Sequence, residues 1–244
     1  MIPPLVYSSN QYKSLAEELA SSIGTTCIDQ NKISHHSHLF LSDSGLSFFH
    51  PQARSSKNFI IDFNSGTTSW RMRRADHEKL IKKALGKHEA PLNILDCTAG
   101  MLQDTLLFLS LGHKVTAVEQ SKILFFLLND GINRSNNQEI FKSLTLINAN
   151  ACSYALRATK FDIIYFDPMY PSSKKNALNS GKLEYIARIL ATESINNNPT
   201  QDFKVLSKVP IKKMIVKRPI KAEPFSQTIN YQVHGKTTRF DIYI

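Results

Sequence analysis

The sequence has 244 residues, which is enough for one large domain or for a domain with a small attachment. Thirty Lys and Arg residues against twenty Asp and Glu residues give a formal net charge of +10. This surplus favours a polyanionic partner, RNA or DNA, over a small neutral metabolite, with a generally basic globular protein as the alternative.

The cysteines and the apolar runs exclude several further classes of protein. Cys27, Cys97 and Cys152 are an odd set without CxxC spacing, so neither a disulfide framework nor a zinc site is indicated. The first residues lack the pattern of a signal peptide, and no apolar run approaches the roughly 20 residues of a membrane span. We therefore expect a cytoplasmic monomer with no metal and no membrane contact.

The first part of the chain, residues 1–64, predicts a small α/β unit in which no catalytic pattern is visible. Short apolar runs bounded by turn residues indicate strands, and apolar residues at helical spacing indicate one helix. The predicted elements are a strand at 5–7, a helix with Tyr12, Leu15, Leu19 and Ile23 on one face, a hairpin at 38–49 and a strand at 59–63.

A basic stretch follows, in which Arg71, Arg73 and Arg74 lie beside Trp70 and precede a helix predicted at 76–86. Arginines next to an indole suit phosphate contact and base stacking, so these three are candidates for RNA binding. A solvated start of a helix is an equally good interpretation of the same residues.

The remainder, residues 65–244, alternates strands with helices and ends in two strands that read as an antiparallel edge. Such alternation predicts a doubly wound, mostly parallel sheet, here of seven strands. The predicted strands are 92–96, 115–119, 144–147, 162–166, 214–216, 229–233 and 240–244, and the predicted helices are 104–111, 121–133 and 183–194, with a loop at 196–199.

The first candidate ligand site is a strand, a turn of small residues and the start of a helix, which together run from Asn93 to Asp104. Glu119 ends the next strand, where an acid accepts hydrogen bonds from a ribose diol. NAD-binding domains and S-adenosylmethionine methyltransferases share this pairing. A dinucleotide requires a Gly-x-Gly-x-x-Gly loop for its pyrophosphate, and this loop keeps only Gly100, which favours the methyltransferase.

The run Asp167-Pro168-Met169-Tyr170-Pro171 closes the fourth strand of this domain. It offers a carboxylate acceptor, a rigid carbonyl and an aromatic face where the catalytic crevice of an open α/β sheet lies. Those groups suit a planar amine, although an Asp-Pro turn closing a buried strand explains the short motif equally well. Its position after Gly100 and Glu119 favours an active site over a simple turn. The catalytic candidates are Asp167, Pro168 and Tyr170.

Several motifs together resemble the ribosomal RNA small subunit methyltransferase J family, which makes N2-methylguanine in bacterial 16S rRNA. They are Asp96-Cys97-Thr98-Ala99-Gly100, Gln103-Asp104, Glu119, Asp167-Pro168-Met169-Tyr170-Pro171, Lys174-Lys175-Asn176-Ala177-Leu178, Val216-Lys217-Arg218-Pro219 and Arg239-Phe240-Asp241-Ile242-Tyr243. The resemblance runs from about Ile60 to the end of the chain. It implies a Rossmann-like class I S-adenosylmethionine-dependent methyltransferase fold, and 16S rRNA or the small ribosomal subunit as partner.

The resemblance also implies which residues contact S-adenosyl-L-methionine. They include Asp96, Gly100, Gln103, Asp104, Glu119, Gln120, Asn150, Ala151 and Asp167. The chain departs from the family pattern where Leu102 replaces a glycine, where Gln103 replaces an arginine, and where Ala75-Asp76-His77 replaces a glycine-rich stretch. A side chain at Leu102 is expected either to crowd the cofactor or to require an unusual backbone angle.

Residues 171–221 carry eleven Lys and Arg residues against three Asp and Glu residues, next to the proposed mouth of the site. Lys174, Lys175, Lys217 and Arg218 are candidates for contact with rRNA phosphates, and a solvated basic surface is the alternative. Three functions remain distinct hypotheses: this rRNA methyltransferase, an amino-methyltransferase acting on DNA or another RNA, and a non-catalytic RNA-binding relative.

Overall fold

The computed structural model describes residues 2–32, 35–66, 75–157, 160–169 and 181–244, and the elements below are numbered along that part of the chain. The strands are β1 Leu5–Tyr7, β2 Cys27–Asp29, β3 His38–Ser42, β4 Gly45–Phe49, β5 Phe59–Ile60, β6 Asn93–Asp96, β7 Lys114–Glu119, β8 Leu144–Asn148, β9 Ile163–Phe166, β10 Lys213–Pro219, β11 Tyr231–His234 and β12 Thr238–Tyr243. The helices are α1 Lys13–Ile23, α2 Lys79–Leu85, α3 Gln103–Ser110, α4 Lys122–Asn133, α5 Gln138–Phe141, α6 Ala151–Ala155, α7 Gly181–Thr192 and α8 Pro199–Leu206.

Contacts between Cα atoms group the chain into two compact units. The first consists of Met1–Phe63, Ser121–Asn136 and Pro171–Asn196, and the second of Asn64–Gln120, Asn137–Tyr170 and Asn197–Ile244. The boundary expected from the sequence, between residues 1–64 and 65–244, stays a prediction about where the chain divides into domains.

The first unit contains a five-stranded sheet with the order β2-β1-β3-β4-β5. β1 pairs in parallel with β2 and β3, whereas β3, β4 and β5 are antiparallel to one another. Helix α4 approaches the sheet residues closely because Gly131 has no side chain. A Cβ atom there would lie 2.9 Å from the carbonyl oxygen of Ile61, closer than real Cβ contacts allow.

Helix α1 buries a face that only partly overlaps the expected one, because Ile23 is buried and Leu19 is half-buried as that face requires, whereas Leu15 is not. Ala16, Ala20 and Ile23 are buried, whereas Leu15 is 53% exposed. The buried residues follow the i, i+4, i+7 spacing of one helical stripe. The packed face is therefore formed by two small alanines together with Ile23, and Leu15 lies outside it.

The second unit contains a seven-stranded sheet with the order β11-β12-β10-β9-β6-β7-β8. Strands β8, β7, β6, β9 and β10 pair in parallel, and β12 is antiparallel to both β10 and β11. The expected Rossmann-like α/β architecture with an antiparallel C-terminal edge is therefore confirmed, together with the small N-terminal α/β unit.

Strand β6 marks the point of this sheet where a ligand site is expected. It pairs with β7 on one side and with β9 on the other, so the strand order reverses beside it. In open α/β sheets ligands bind outside the carboxyl ends of the strands at such a switch point. The register sets Asp96 opposite both Ala117 and Tyr165, so the three strands end near one another.

The core below this edge is apolar and continuous. Five of its side chains are at most 3% exposed: Leu95, Val118, Ile164, Phe166 and Val216. Four elements were not predicted from the sequence: the strand β2, the short helices α5 and α6, and the helix α8. Helix α8 begins at a proline in the predicted loop, where Asn198 caps it by accepting the N–H of Gln201 at 3.1 Å.

Candidate active site

The loop after β6 is shaped by the carboxylate of Asp96. Its Oδ1 accepts the backbone N–H of Thr98 at 3.0 Å, and its Oδ2 accepts the hydroxyl of Thr105 at 2.6 Å. Asp96 is only 2% exposed, and burial raises the pKa of this carboxyl to about 6. The sequence predicted a cofactor contact at Asp96, and the structure places this side chain where it holds the loop in shape.

The same loop is tied to the end of β7. The backbone N–H of Gly100 donates to Oε2 of Glu119 at 3.2 Å, and Gly100 has a φ of 51°. Glu119 is itself fixed, because Asn148 donates its side-chain N–H to the Glu119 carbonyl oxygen at 2.8 Å. The two residues predicted to flank the cofactor therefore lie in direct contact.

Leu102 has the left-handed backbone conformation that the departure from the family pattern led us to expect. Its φ is 57° and its ψ is 21°, and it caps helix α3. Its carbonyl oxygen accepts the N–H of Leu106 at 2.8 Å. The Leu102 side chain is 0% exposed, so the isobutyl group lies in the core and not on the open surface of the loop.

Polar residues expected at the cofactor rim lie at the start of α3 and just after the ends of β7 and β8. Gln103, Gln120 and Asn150 are exposed. Asn150 donates to Oε1 of Gln120 at 3.3 Å, which links the two loops. Asn150 also caps α6 by accepting the N–H of Ser153, and Ala151 is half-buried at the edge of the core. These exposed amides leave hydrogen-bonding groups at the mouth of the site.

A cluster of two carboxylates, a lysine and a tyrosine lies at the junction of β9, β10 and α3. Nζ of Lys217 is 2.7 Å from Oδ2 of Asp104 and 2.8 Å from Oδ2 of Asp167. The hydroxyl of Tyr165 donates to the same Asp104 oxygen at 2.6 Å. Charge-assisted hydrogen bonds of this length are among the strong ones in proteins.

Burial and the neighbouring charges shift the pKa values of this cluster in opposite directions. The pKa of Asp167 is raised to about 6, because burial and the charge of Asp104, which raise it, outweigh Lys217, which lowers it. Burial alone lowers the pKa of the Lys217 ammonium, but attraction by Asp104 and Asp167 outweighs it and the net pKa is raised. Burial and the Asp104 charge raise the pKa of Tyr165 well above its ordinary value, which keeps that hydroxyl protonated as a donor.

Asp167 is the more exposed of the two carboxylates in this cluster. Its backbone N–H donates to Oγ1 of Thr98 at 2.8 Å, which fixes it against the loop after β6. Its side chain is 31% exposed, and Oδ1 accepts no hydrogen bond from the described residues. Pro168 is buried and Met169 is 38% exposed, so the chain leaves the sheet here. A carboxylate oxygen without such a bond, on a partly exposed side chain, suits an N–H donor.

The residues predicted to contact RNA lie in different environments. Lys217 lies in the carboxylate cluster. Arg218 is only 6% exposed, with its guanidinium 3.9 Å from the centre of the Phe225 ring. Successive residues of a strand point to opposite faces, which accounts for the difference between the two. The residues that lie outside the described part of the chain are Arg71, Arg73, Arg74, Lys174, Lys175 and the catalytic candidate Tyr170.

Sequence reasoning missed three contributors to the site. Thr98 and Thr105 hold the loop and the end of β9, and Tyr165 joins the Asp104 cluster. The threonines follow the predicted strand end closely, so their position was a usable signal. Tyr165 was hidden in a strand that reads as uniformly apolar.

The donor and acceptor groups at this edge fit S-adenosyl-L-methionine. That cofactor carries a sulfonium and an ammonium, and the site collects the carboxylates Asp104, Glu119 and Asp167 with one lysine. It has no phosphate, and the turn at Gly100 contains no second glycine to cradle one.

Among the described residues, no three His, Cys, Asp or Glu side chains are grouped so as to hold a metal ion. None of the described helices combines the length and hydrophobicity needed to span a bilayer.

Comparison with known proteins extends over nearly the whole chain. A family model described as that of a SAM-dependent methyltransferase matches residues 25–244. Ribosomal RNA small subunit methyltransferase J of Francisella tularensis subsp. novicida is 32% identical over 213 residues, which cover 84% of this chain and 86% of that protein. The protein of the same name from Francisella philomiragia is 34% identical over 194 residues, 77% of this chain and 80% of its own. A solved SAM-dependent methyltransferase from Neisseria gonorrhoeae has a TM-score of 0.73 at 27% identity and covers 99% of this chain and 95% of its own.

Proposed function

Since this chain belongs to the ribosomal RNA small subunit methyltransferase J family of SAM-dependent methyltransferases, we propose that it methylates the N2 amine of a guanine in 16S rRNA of the small ribosomal subunit. The observation that carries the proposal is the partly exposed Asp167 at the switch point of the sheet, whose Oδ1 accepts no hydrogen bond from the described residues. The proposal places the enzyme in the cytoplasm, where small subunits are assembled.

The chemistry requires positioning more than it requires a strong base. The exocyclic amine of guanine is a poor nucleophile because its lone pair is delocalised into the ring. Hydrogen bonds from its N–H groups to Asp167 and to the Pro168 carbonyl would orient the lone pair toward the reacting methyl. Positioning of this kind contributes on the order of 7–11 kcal/mol at best. Bound S-adenosyl-L-methionine supplies the electrophilic methyl on its sulfonium.

The Asp167 carboxylate has a second role in this proposal. Positive charge develops on the attacking nitrogen, and a fixed carboxylate beside it stabilises that charge in a partly buried site. The methylated amine then loses its proton easily. The guanine base must leave its stack in the RNA to reach Asp167. Tyr170 is proposed to stack on this base, and such stacking contributes roughly 1–3 kcal/mol to binding.

Leu102 gives no support to a non-catalytic function. That alternative depended on a side chain crowding the cofactor, and the Leu102 side chain is fully buried in the core. The alternatives of DNA or another RNA as substrate keep the same chemistry and differ only in what accepts the methyl group.

The proposal is tested by transfer of labelled methyl with Asp167→Ala and Asp167→Asn beside the wild-type enzyme. We expect the wild-type enzyme to label small ribosomal subunits that lack the modification, and not duplex DNA or transfer RNA. Both variants should lose turnover by at least about a hundredfold while still binding cofactor, because the lost interaction acts on the transition state. Turnover equal to wild type in either variant would contradict the role of Asp167.

A further inference from the structure

Lys217 was expected at the RNA surface, yet its ammonium lies between two acidic side chains of the active site. Its strand β10 pairs with β9 so that Val216 is opposite Phe166, which sets Lys217 beside Asp167 one residue beyond the pairing. Asp104 reaches the same ammonium from helix α3. The lysine is 28% exposed, and its contacts with both Asp104 and Asp167 are shorter than 3 Å.

The two oxygens of Asp167 differ because of this lysine. Oδ2 is bound to Lys217 at 2.8 Å, whereas Oδ1 accepts no hydrogen bond from the described residues. An unrestrained carboxylate rotates about its terminal bond, since that torsion is broad. A charge-assisted bond to Oδ2 restricts this rotation and leaves Oδ1 as the acceptor for a substrate.

Electrostatics give the lysine a second effect on the same carboxylate. The charged groups that face Asp167 are Lys217 from β10, Asp104 from α3 and Asp96 from β6, and the phenol of Tyr165 lies beside them. The two other carboxylates and burial favour the protonated form of Asp167, while Lys217 favours the ionised form. Without the lysine the balance shifts toward the protonated carboxyl, which lacks the negative charge that strengthens a hydrogen bond from an amine N–H.

We infer that Lys217 is a positioning residue of the methyl-transfer site, which orients Asp167 through Oδ2 and keeps it ionised for the incoming amine. The inference rests on the proposed function, because it assigns Lys217 a role in holding the acceptor of the guanine amine. It replaces phosphate contact as the role of this lysine.

The experiment compares pH profiles of kcat/KM for methyl transfer to small subunits lacking the modification. The variants are Lys217→Met, Lys217→Arg and a matched control, Lys212→Met, which removes an 84% exposed lysine just before the same strand. We expect the acid limb of the Lys217→Met profile to move up by about 1–3 pH units, with activity recovering toward high pH. Lys217→Arg should keep the limb near the wild-type position, and Lys212→Met should match wild type.

RNA binding by the same proteins provides a readout that does not depend on turnover. We expect Lys217→Met to leave RNA affinity and its salt dependence close to wild type. A phosphate contact would instead reduce the salt slope of log K by about one unit when the lysine is lost. That reduction with an unmoved acid limb would overturn the inference.

A variant with the opposite charge change guards against a folding defect in Lys217→Met. Asp104→Asn removes a carboxylate that raises the pKa of Asp167, so at saturating cofactor its acid limb should move down. An unmoved limb in both Asp104→Asn and Lys217→Met would overturn the inference while wild-type activity stands. Absence of methyl transfer by the wild-type enzyme would instead overturn the proposed function itself.

Discussion

Gly100 donates its backbone N–H to the carboxylate of Glu119, and this 3.2 Å contact joins the loop after β6 to the end of β7. The two residues are 19 apart in sequence, and both lie at the carboxyl edge of the parallel sheet. The contact uses one carboxylate oxygen and fixes the side chain beside the loop. We predict that Glu119, held in this way, accepts hydrogen bonds from the ribose diol of the cofactor.

Replacing Glu119 with Gln tests this placement. The amide oxygen still accepts the Gly100 N–H, but the negative charge is lost. Hydrogen bonds to charged groups contribute about 1.5–3 kcal/mol, so cofactor affinity should fall by roughly 10-fold to 100-fold in calorimetry. Glu139→Gln is the matched control, because that side chain is 78% exposed and pairs with Lys142. Equal affinity of Glu119→Gln and wild type would exclude Glu119 from the cofactor site.

The left-handed backbone at Leu102 predicts an unusual order of stability for two substitutions. Both Leu102→Ala and Leu102→Gly lose a fully buried side chain, which costs about 2–5 kcal/mol. Only the glycine relieves the positive φ of 57°, a strain of roughly 1–2 kcal/mol. Urea unfolding should therefore find the glycine variant about 1 kcal/mol more stable than the alanine variant.

Leu106 provides the control for that comparison, since it is equally buried but lies inside helix α3. There Leu106→Ala should be more stable than Leu106→Gly by about 1 kcal/mol, the ordinary order in a helix. The same order at both positions would show that Leu102 carries no backbone strain.

His113 predicts a pH dependence of stability. It is 2% exposed, and its Nδ1 accepts the backbone N–H of Leu92 at 3.2 Å, so a proton on Nδ1 would face another donor. Burial, with a smaller effect of His88, lowers the pKa of His113 to about 4. Between about pH 6.5 and 4 the unfolded chain binds the extra proton, so this residue's contribution to stability falls as pH falls.

The effect of His113 must be separated from that of the buried carboxylates. Asp96 and Asp167 have raised pKa values, so the native state binds their protons first and their contribution runs the other way. His113→Asn keeps a side-chain acceptor for Leu92 and does not titrate. From pH 6 to pH 5 in urea unfolding, wild type should lose up to about 1.4 kcal/mol relative to this variant. Parallel stability curves for the two proteins would contradict the prediction.

The parts of the fold that sequence predicted best are those where a polar residue ends an apolar strand. Asp96, Glu119 and Asp167 each follow such a run, and all three lie at the carboxyl edge of one sheet. The alternation of strands and helices could be predicted from the local sequence pattern alone. Helix α1 shows the limit, because burial of Ala16 and Ala20 depends on how closely the helix packs, and side-chain size alone pointed to Leu15.

The partners of Lys217 could not be predicted for a different reason. Its contacts with Asp104 and Asp167 join residues 113 and 50 positions apart, and the local sequence around it is basic. A basic stretch favours a surface role when charge alone is counted. The pairing of β10 with β9 brings this one lysine to the acidic edge, and only the strand order reveals that neighbour.

The most direct measurement is labelled methyl transfer by the wild-type enzyme to small ribosomal subunits that lack the modification, followed by nucleoside analysis of the 16S rRNA. The account predicts that the label is recovered as N2-methylguanosine, at a single position, and only when Asp167 is intact. Label in any other nucleoside, or no transfer by enzyme that binds both cofactor and subunit, would contradict it.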